Sequence, residues 1–229
     1  IGQSAGWQEA DVETVPYSFW QEWKSWSTGR TWMGGISAQE PVCVTGGHNP
    51  GHHRSADQCG VLLCKYPEVK GKIKEIVMMG GAYYMHYNEW NILCDPEAAH
   101  IVYSSGVPIR AIGLDVTTRC QVNDQLVTMF RNSKKPEVEL LADLLTCYYE
   151  NRGRHTFLHD PMAVFAVYDK DIITYQGEDI HVELHGQHTR GTTFNTWKIG
   201  VGNSRQNVQC AKDIKAEEFV RRFKEIIMR

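Results

Sequence analysis

Little in this chain points to a membrane, a nucleic acid or a disulfide-stapled scaffold. No window approaches the ~18 consecutive apolar residues that a membrane-crossing helix needs. Net charge is only −3, from 24 basic against 27 acidic side chains, so neither nucleic acid nor anionic lipid is expected as a partner. CxxC pairs are missing: the seven cysteines, at 43, 59, 64, 94, 120, 147 and 210, are scattered and odd in number. That spacing argues against cysteine-bound zinc and against a disulfide framework, so a reduced, cytoplasmic setting is expected. Neither a glycine-rich dinucleotide fingerprint nor a phosphate-binding loop occurs, which leaves a Rossmann-like transferase without support. There is no internal repeat, no low-complexity tract and no charged-then-apolar leader. The chain opens at Ile1 and not at methionine, so a processed or partial gene product is expected.

What is present suits an α/β protein. A length of 229 residues with 42% hydrophobic side chains allows one large domain or two small ones with a full core. The pattern changes near residue 60. Residues 1–60 hold Trp7, Trp20, Trp23, Trp26 and Trp32, five of the seven tryptophans, without clear alternation of strands and helices. Within them YSFWQEWKSW (17–26) spaces its aromatics as one face of an amphipathic helix, read as a packing face. TGGHNPGHHR (45–54) carries His48, His52 and His53, and its glycines favour a flexible loop over a metal site.

Beyond residue 58 the elements are regular. QCGVLLCKY reads as the end of a helix stopped at Pro67, and IKEIVMM (73–79) as a buried strand ending at Gly80-Gly81. Asp95-Pro96-Glu97 supplies a cap, a first-turn proline and an acid for a helix that Gly106 terminates. PIRAIGLDV (108–116) reads as a second buried strand, Pro136 opens a long helix, and HDPMAVFAVYD starts another, with Asp160 as its expected cap. EDIHVEL (178–184) alternates as a strand, and Lys215–Met228 forms a terminal amphipathic helix. This order predicts a single domain over 1–229, atypical in 1–60, built on a mainly parallel, Rossmann-like sheet flanked by helices. Ligands of such sheets lie beyond the carboxyl ends of the strands. The Gly80–Asn91 loop leaves from one.

Two short constellations carry chemistry. Glu89 and Asn91 lie two apart, and in extended backbone they point to one side. A carboxylate and a carboxamide together accept from and donate to vicinal hydroxyls, although a solvated loop crowded by Tyr84, Tyr87 and Trp90 would read the same way. His159-Asp160-Pro161 pairs an imidazole that titrates near neutrality with a carboxylate suited to a hard metal; helix capping alone also accounts for the aspartate. His181, His185 and His188 read as surface positions, Arg190-Gly191 as a turn, and Asp115 as facing the site or satisfying a turn.

Taken in order, KYPEVKGKIKEIVMMGGAYY, NEWNILCDPEAAHIVYSSGVPIRAIGLDVTTR, LHDPMAV, VELHGQHTRGTTF and RQNVQCAKDIKAEEF resemble the nucleoside hydrolase family, the inosine/uridine-type ribohydrolases, over most of residues 60–220. The resemblance implies hydrolysis of ribonucleosides to ribose and free base with Ca²⁺, and a homo-oligomer. It implies that Glu89 and Asn91 hold ribose hydroxyls, that Met79 lines the sugar pocket, that Asp160 is a calcium ligand, and that His159 serves as the acid near the leaving base.

The chain also departs from the family pattern. The family's opening D-x-D-x-G-x-D-D cluster, source of most calcium carboxylates and of the general base, is missing. Asp11-Val12-Glu13 is the nearest sequence. The family's G-P-L-T-N turn is absent, its place falling near Arg54–Gln58. The sugar loop lacks the extra asparagine of many members, for which Asn88 stands in. Calcium requires six to eight oxygens, so two expectations follow. Either the chain is a hydrolase whose amino-terminal portion is absent or replaced, or it is a metal-free nucleoside-binding or interaction protein.

Overall fold

Proline and glycine mark several of the chain's turns, among them Pro67, Gly80-Gly81 and Gly106. The computed structural model describes residues 42–45, 55–151, 156–169, 171–195 and 207–229. Strand β1 (Val42–Thr45) precedes helix α1 (Ser55–Lys65) and a 3-10 turn over Pro67–Lys72. Proline cannot continue α1, and the turn delays strand β2 to Glu75–Met79. Helices α2 (Trp90–Cys94) and α3 (Pro96–Tyr103) follow the loop that leaves β2. Asp95 caps α3 as expected, its Oδ1 accepting from the Ala98 N–H at 2.9 Å, with Pro96 at the first helical position. Then come β3 (Ile109–Ile112), the single helical turn α4 (Leu114–Thr117), α5 (Asp124–Arg131), α6 (Pro136–Asn151) and α7 (His159–Tyr168). Strands β4 (Ile173–Glu178), β5 (Ile180–Val182), β6 (Thr193–Asn195) and β7 (Val208–Ile214) precede the terminal helix α8 (Ala216–Met228).

The main sheet has the order β1-β2-β3-β7-β4, parallel through the first four strands, with β4 antiparallel at the edge. Both faces are covered. Because side chains alternate along a strand, Val77 and Met79 of β2 enter a core with Phe130, Met162, Ala166 and Phe219 from α5, α7 and α8. Ile76 and Met78 enter the opposite core with Leu63, Val102 and Tyr103 from α1 and α3. Burial on both faces explains why β2 reads as an unbroken apolar run. The α/β architecture is therefore the one expected.

Several local expectations are corrected. The strand expected over 108–116 ends at Ile112, and Leu114–Thr117 is helical, because Asp115 is drawn aside by the site loop as described below. EDIHVEL is split: Glu178 closes β4, while β5 pairs with β6 in a separate two-stranded antiparallel sheet. Helix α7 starts at His159, so Asp160 sits in its first turn and does not cap it; Leu158 holds the cap position without a side-chain bond. The aromatic segment 17–26, Asp11-Val12-Glu13 and the histidines of 46–54 lie outside the described residues.

Candidate active site

The site forms at the carboxyl edge of the parallel strands. Strand β2 ends in Gly80-Gly81, where the chain turns back on itself. Gly81 has φ +80, and a Cβ there would meet the Tyr83 ring at 2.6 Å, so only glycine fits. The turn is tied to the next strand through Gly80 N–H to Ile112 O (3.2 Å) and Leu114 N–H to Gly81 O (2.9 Å). Asp115 completes the tie: its two carboxylate oxygens accept from the Tyr83 and Tyr84 N–H groups at 2.8 and 2.9 Å. Of its two possible roles, the turn is the one it fills.

Glu89 caps α2 with its side chain. Oε1 accepts from Asn91 N–H at 3.0 Å; Oε2 accepts from Ile92 N–H and, across the loop, from Gly81 N–H, both at 3.1 Å. The residue is 3% exposed. The extended E-x-N geometry expected from sequence is thus a cap followed by a first helical turn. Asn91, also buried, donates from Nδ2 to Met79 O (3.3 Å) and Met79 Sδ (3.2 Å). Its carboxamide oxygen has no partner among the described residues, and one lone pair of Glu89 Oε1 remains. Those two acceptors are what the loop offers to hydroxyl donors. Asn88 faces elsewhere: its carboxamide accepts from Thr192 Oγ1 and donates to Arg190 O, joining the loop to the β5–β6 hairpin.

The second constellation arrives from the other side of β2. Helix α7 packs against β2, β3 and α4, and Met162 shares a core with Met79. His159 Nδ1 lies 2.7 Å from Thr117 Oγ1 on α4, and the Phe157 ring stands 5.6 Å from the imidazole. Burial raises the Glu89 carboxyl above its ordinary range, the backbone N–H donors oppose that shift, and the Asp160 charge adds to it. Asn91 is tied to Met79 at the end of β2, and α7, which begins with His159 and Asp160, packs against the same strand and shares its core through Met162.

Calcium does not fit the described donor set. Asp115 is committed to two N–H groups and Glu89 to three. Among the described residues no three His, Cys, Asp or Glu side chains converge as a metal group, where calcium would take six to eight oxygens.

Sequence reasoning did not single out Thr117, nor the hairpin that braces the loop. The hairpin contacts join residues about a hundred positions apart, which leaves no local signal. Arg190 forms a bidentate pair with Glu97 at 2.8 and 2.7 Å. Thr193 Oγ1 both accepts from and donates to the Ala82 backbone at 3.0 Å. Gly191, at φ +83, passes so close that a Cβ would meet Leu93 Cα at 2.8 Å.

The chain is similar in sequence and in fold to known ribonucleoside hydrolases. The pyrimidine-specific ribonucleoside hydrolase RihA of Shewanella woodyi is 33% identical over 170 residues, covering 70% of this chain and 54% of that protein. RihA of Klebsiella pneumoniae is 34% identical over a similar stretch. The chain thus spans about half the length of the curated relatives it matches. Among solved structures, a purine-preferring ribonucleoside hydrolase from Gardnerella vaginalis superposes with a TM-score of 0.73 at 27% identity, over 96% of this chain and 67% of that one. An inosine-uridine preferring nucleoside hydrolase from Bacillus anthracis shares the fold at TM-score 0.64 and 20% identity, over 82% of this chain and 60% of that one. The model of the inosine-uridine preferring nucleoside hydrolases matches residues 60–221, and the chain belongs to that family.

Proposed function

We propose that the chain holds the ribose of a ribonucleoside at the β2 loop and hydrolyses its N-glycosidic bond. The observation that carries the reading is that the Glu89/Asn91 cap is tied to the end of β2 while α7, which begins with His159 and Asp160, packs against the same strand. Asn91 Oδ1 and the remaining lone pair of Glu89 Oε1 accept from ribose hydroxyls, with Met79 beneath them. Breaking the C–N bond develops positive charge on the sugar, as in O-glycoside cleavage, and the Glu89 and Asp160 carboxylates favour that charge. Water adds to the anomeric carbon as the C–N bond breaks and gives up one proton, while the departing base takes up one on the side of His159, so no net proton is gained or lost.

A nucleoside substrate, a cytoplasmic setting and a homo-oligomer belong to the same proposal. The family match supports the nucleoside substrate. Among the described residues no helix is long and apolar enough to cross a membrane.

The test is release of reducing sugar from inosine and uridine with Ca²⁺ present. Sugar release is expected, and His159→Ala and Asp160→Ala should each slow it by about 10²-fold. Equal rates in wild type and both variants would remove the assigned roles. Nucleoside binding with no sugar released would make the chain a binding member of its family.

A further inference from the structure

We infer that Thr117 fixes which ring nitrogen of His159 carries the proton, holding the imidazole as its Nε2–H tautomer. Thr117 is 0% exposed, so its hydroxyl hydrogen cannot be given to bulk water and must find a protein acceptor. Its neighbour Thr118 takes the usual helical outlet, donating to Leu114 O at 2.7 Å. Thr117 does not. Its Oγ1 has one partner among the described residues, His159 Nδ1 at 2.7 Å. Were Nδ1 protonated, it would donate to Oγ1 and leave the threonine hydrogen buried without an acceptor. With Nδ1 bare, the hydroxyl donates and both atoms of this contact are satisfied.

The proton of the neutral ring then lies on Nε2, on the side of the imidazole turned away from α4. The Phe157 ring, 5.6 Å away and inclined at 58°, limits rotation of the imidazole about that bond. Thr117 is a positioning residue: it acts through His159. Where the proposed hydrolysis holds, this tautomer offers the leaving base a hydrogen-bond donor, as a neutral imidazole does when it polarises an acceptor. That consequence rests on the reading of His159 given above. The tautomer itself does not.

The experiment is a long-range ¹H–¹⁵N correlation on the ¹⁵N-labelled, substrate-free chain, with the His159 signals assigned by their loss in His159→Gln. The Nε2–H pattern is expected in wild type and in Thr117→Ser, which keeps the hydroxyl. Thr117→Val, nearly the same shape without the donor, should shift the ring to a mixture of tautomers; Thr117→Ala replaces it if valine prevents folding. A wild-type ring protonated on Nδ1 would overturn the inference, and so would an unchanged Nε2–H pattern without the hydroxyl. If sugar release is measurable, Thr117→Val should lower kcat about tenfold with little change in KM, and serine should restore it. Failure of nucleoside hydrolysis would remove the proposed function while leaving the tautomer decided by the spectra alone.

Discussion

Glu89 performs two structural tasks with one carboxylate. Its oxygens satisfy the first donors of α2 and also hold the Gly81 turn, eight residues upstream. Truncation to alanine removes all three bonds and leaves the N–H of Gly81 buried without an acceptor. Glu89→Ala should therefore destabilise the chain by about 3 kcal/mol in urea unfolding. It should also weaken ribose or nucleoside binding in a titration run where the variant is still folded. Wild-type affinity there would detach Glu89 from the ligand. The carboxyl carries a further signature in pH. Burial raises it above the ordinary 4.5, against the pull of its N–H donors. Above that value the native state holds the proton more firmly than the unfolded chain, so ionising Glu89 costs native stability as pH rises through the window between the two pKa values. The stability advantage of wild type over Glu89→Gln should be larger near pH 4.5 than near pH 7. An advantage that grows toward neutrality would show the opposite shift.

At the scale of elements, the loop after β2 is held from outside by the β5–β6 hairpin, and the fastenings differ in strength. Thr193 is buried and closes both polar groups of Ala82. Thr193→Val preserves shape but orphans that N–H and C=O, and should cost about 2 kcal/mol and speed amide exchange across residues 81–92. Arg190 and Glu97 form a well-shaped pair whose side chains are 44% and 55% exposed. Water screens such pairs, so Glu97→Gln should change stability by less than about 1 kcal/mol. If the two variants cost the same, the hairpin is not held through Thr193. The same contrast between local and distant causes decides what the sequence reveals. Helix α3 is legible because Asp95, Pro96 and Gly106 are local signals, and β2 because both its faces are apolar. Strand β4 is not. It carries Gly177, and a register shift between Thr174 and Tyr175 breaks its alternation; its existence depends on pairing with the distant β7. Asp160 reads as a cap from sequence because a proline follows it, yet α7 begins at His159, two residues before that proline. Glu89, Asn91, His159 and Asp160 can be singled out from sequence as candidates by their chemistry alone. Their geometry cannot be read there, since Gly81, Met79 and Thr117 set it from elsewhere in the chain.

Across the whole molecule, the two halves of the candidate site hang from different elements, and something must fix α7 against β2. Arg110, at the middle of β3, supplies one such tie. Its guanidinium grips Glu75 of β2 through two bonds of 2.7 Å and donates to Ala166 O, in the last turn of α7, at 2.6 Å. It also lies 5.8 Å from the centre of the Tyr175 ring on β4. The side chains of the pair are 12% and 16% exposed, so water screens them little. A cation at a helix carboxyl end is favourable, because it meets carbonyls that have no partner within the helix. Removing it leaves the Glu75 carboxylate largely buried and uncompensated, the costly way to break an ion pair. Arg110→Ala should thus lower stability by about 3 kcal/mol in urea unfolding. Lysine restores charge but not the two-pronged fork or the reach to Ala166, so Arg110→Lys should recover less than half of the loss. Glu75→Gln alone should cost less than Arg110→Ala, because it leaves the guanidinium its carbonyl and ring contacts. Since α7 carries His159 and Asp160 at its opposite end, loosening its last turn should also raise amide exchange along the helix. Exchange confined to the Ala166 turn, with native protection at the amides just after Pro161, would mean that α7 is seated by its apolar face alone and that Arg110 has no hold on the site.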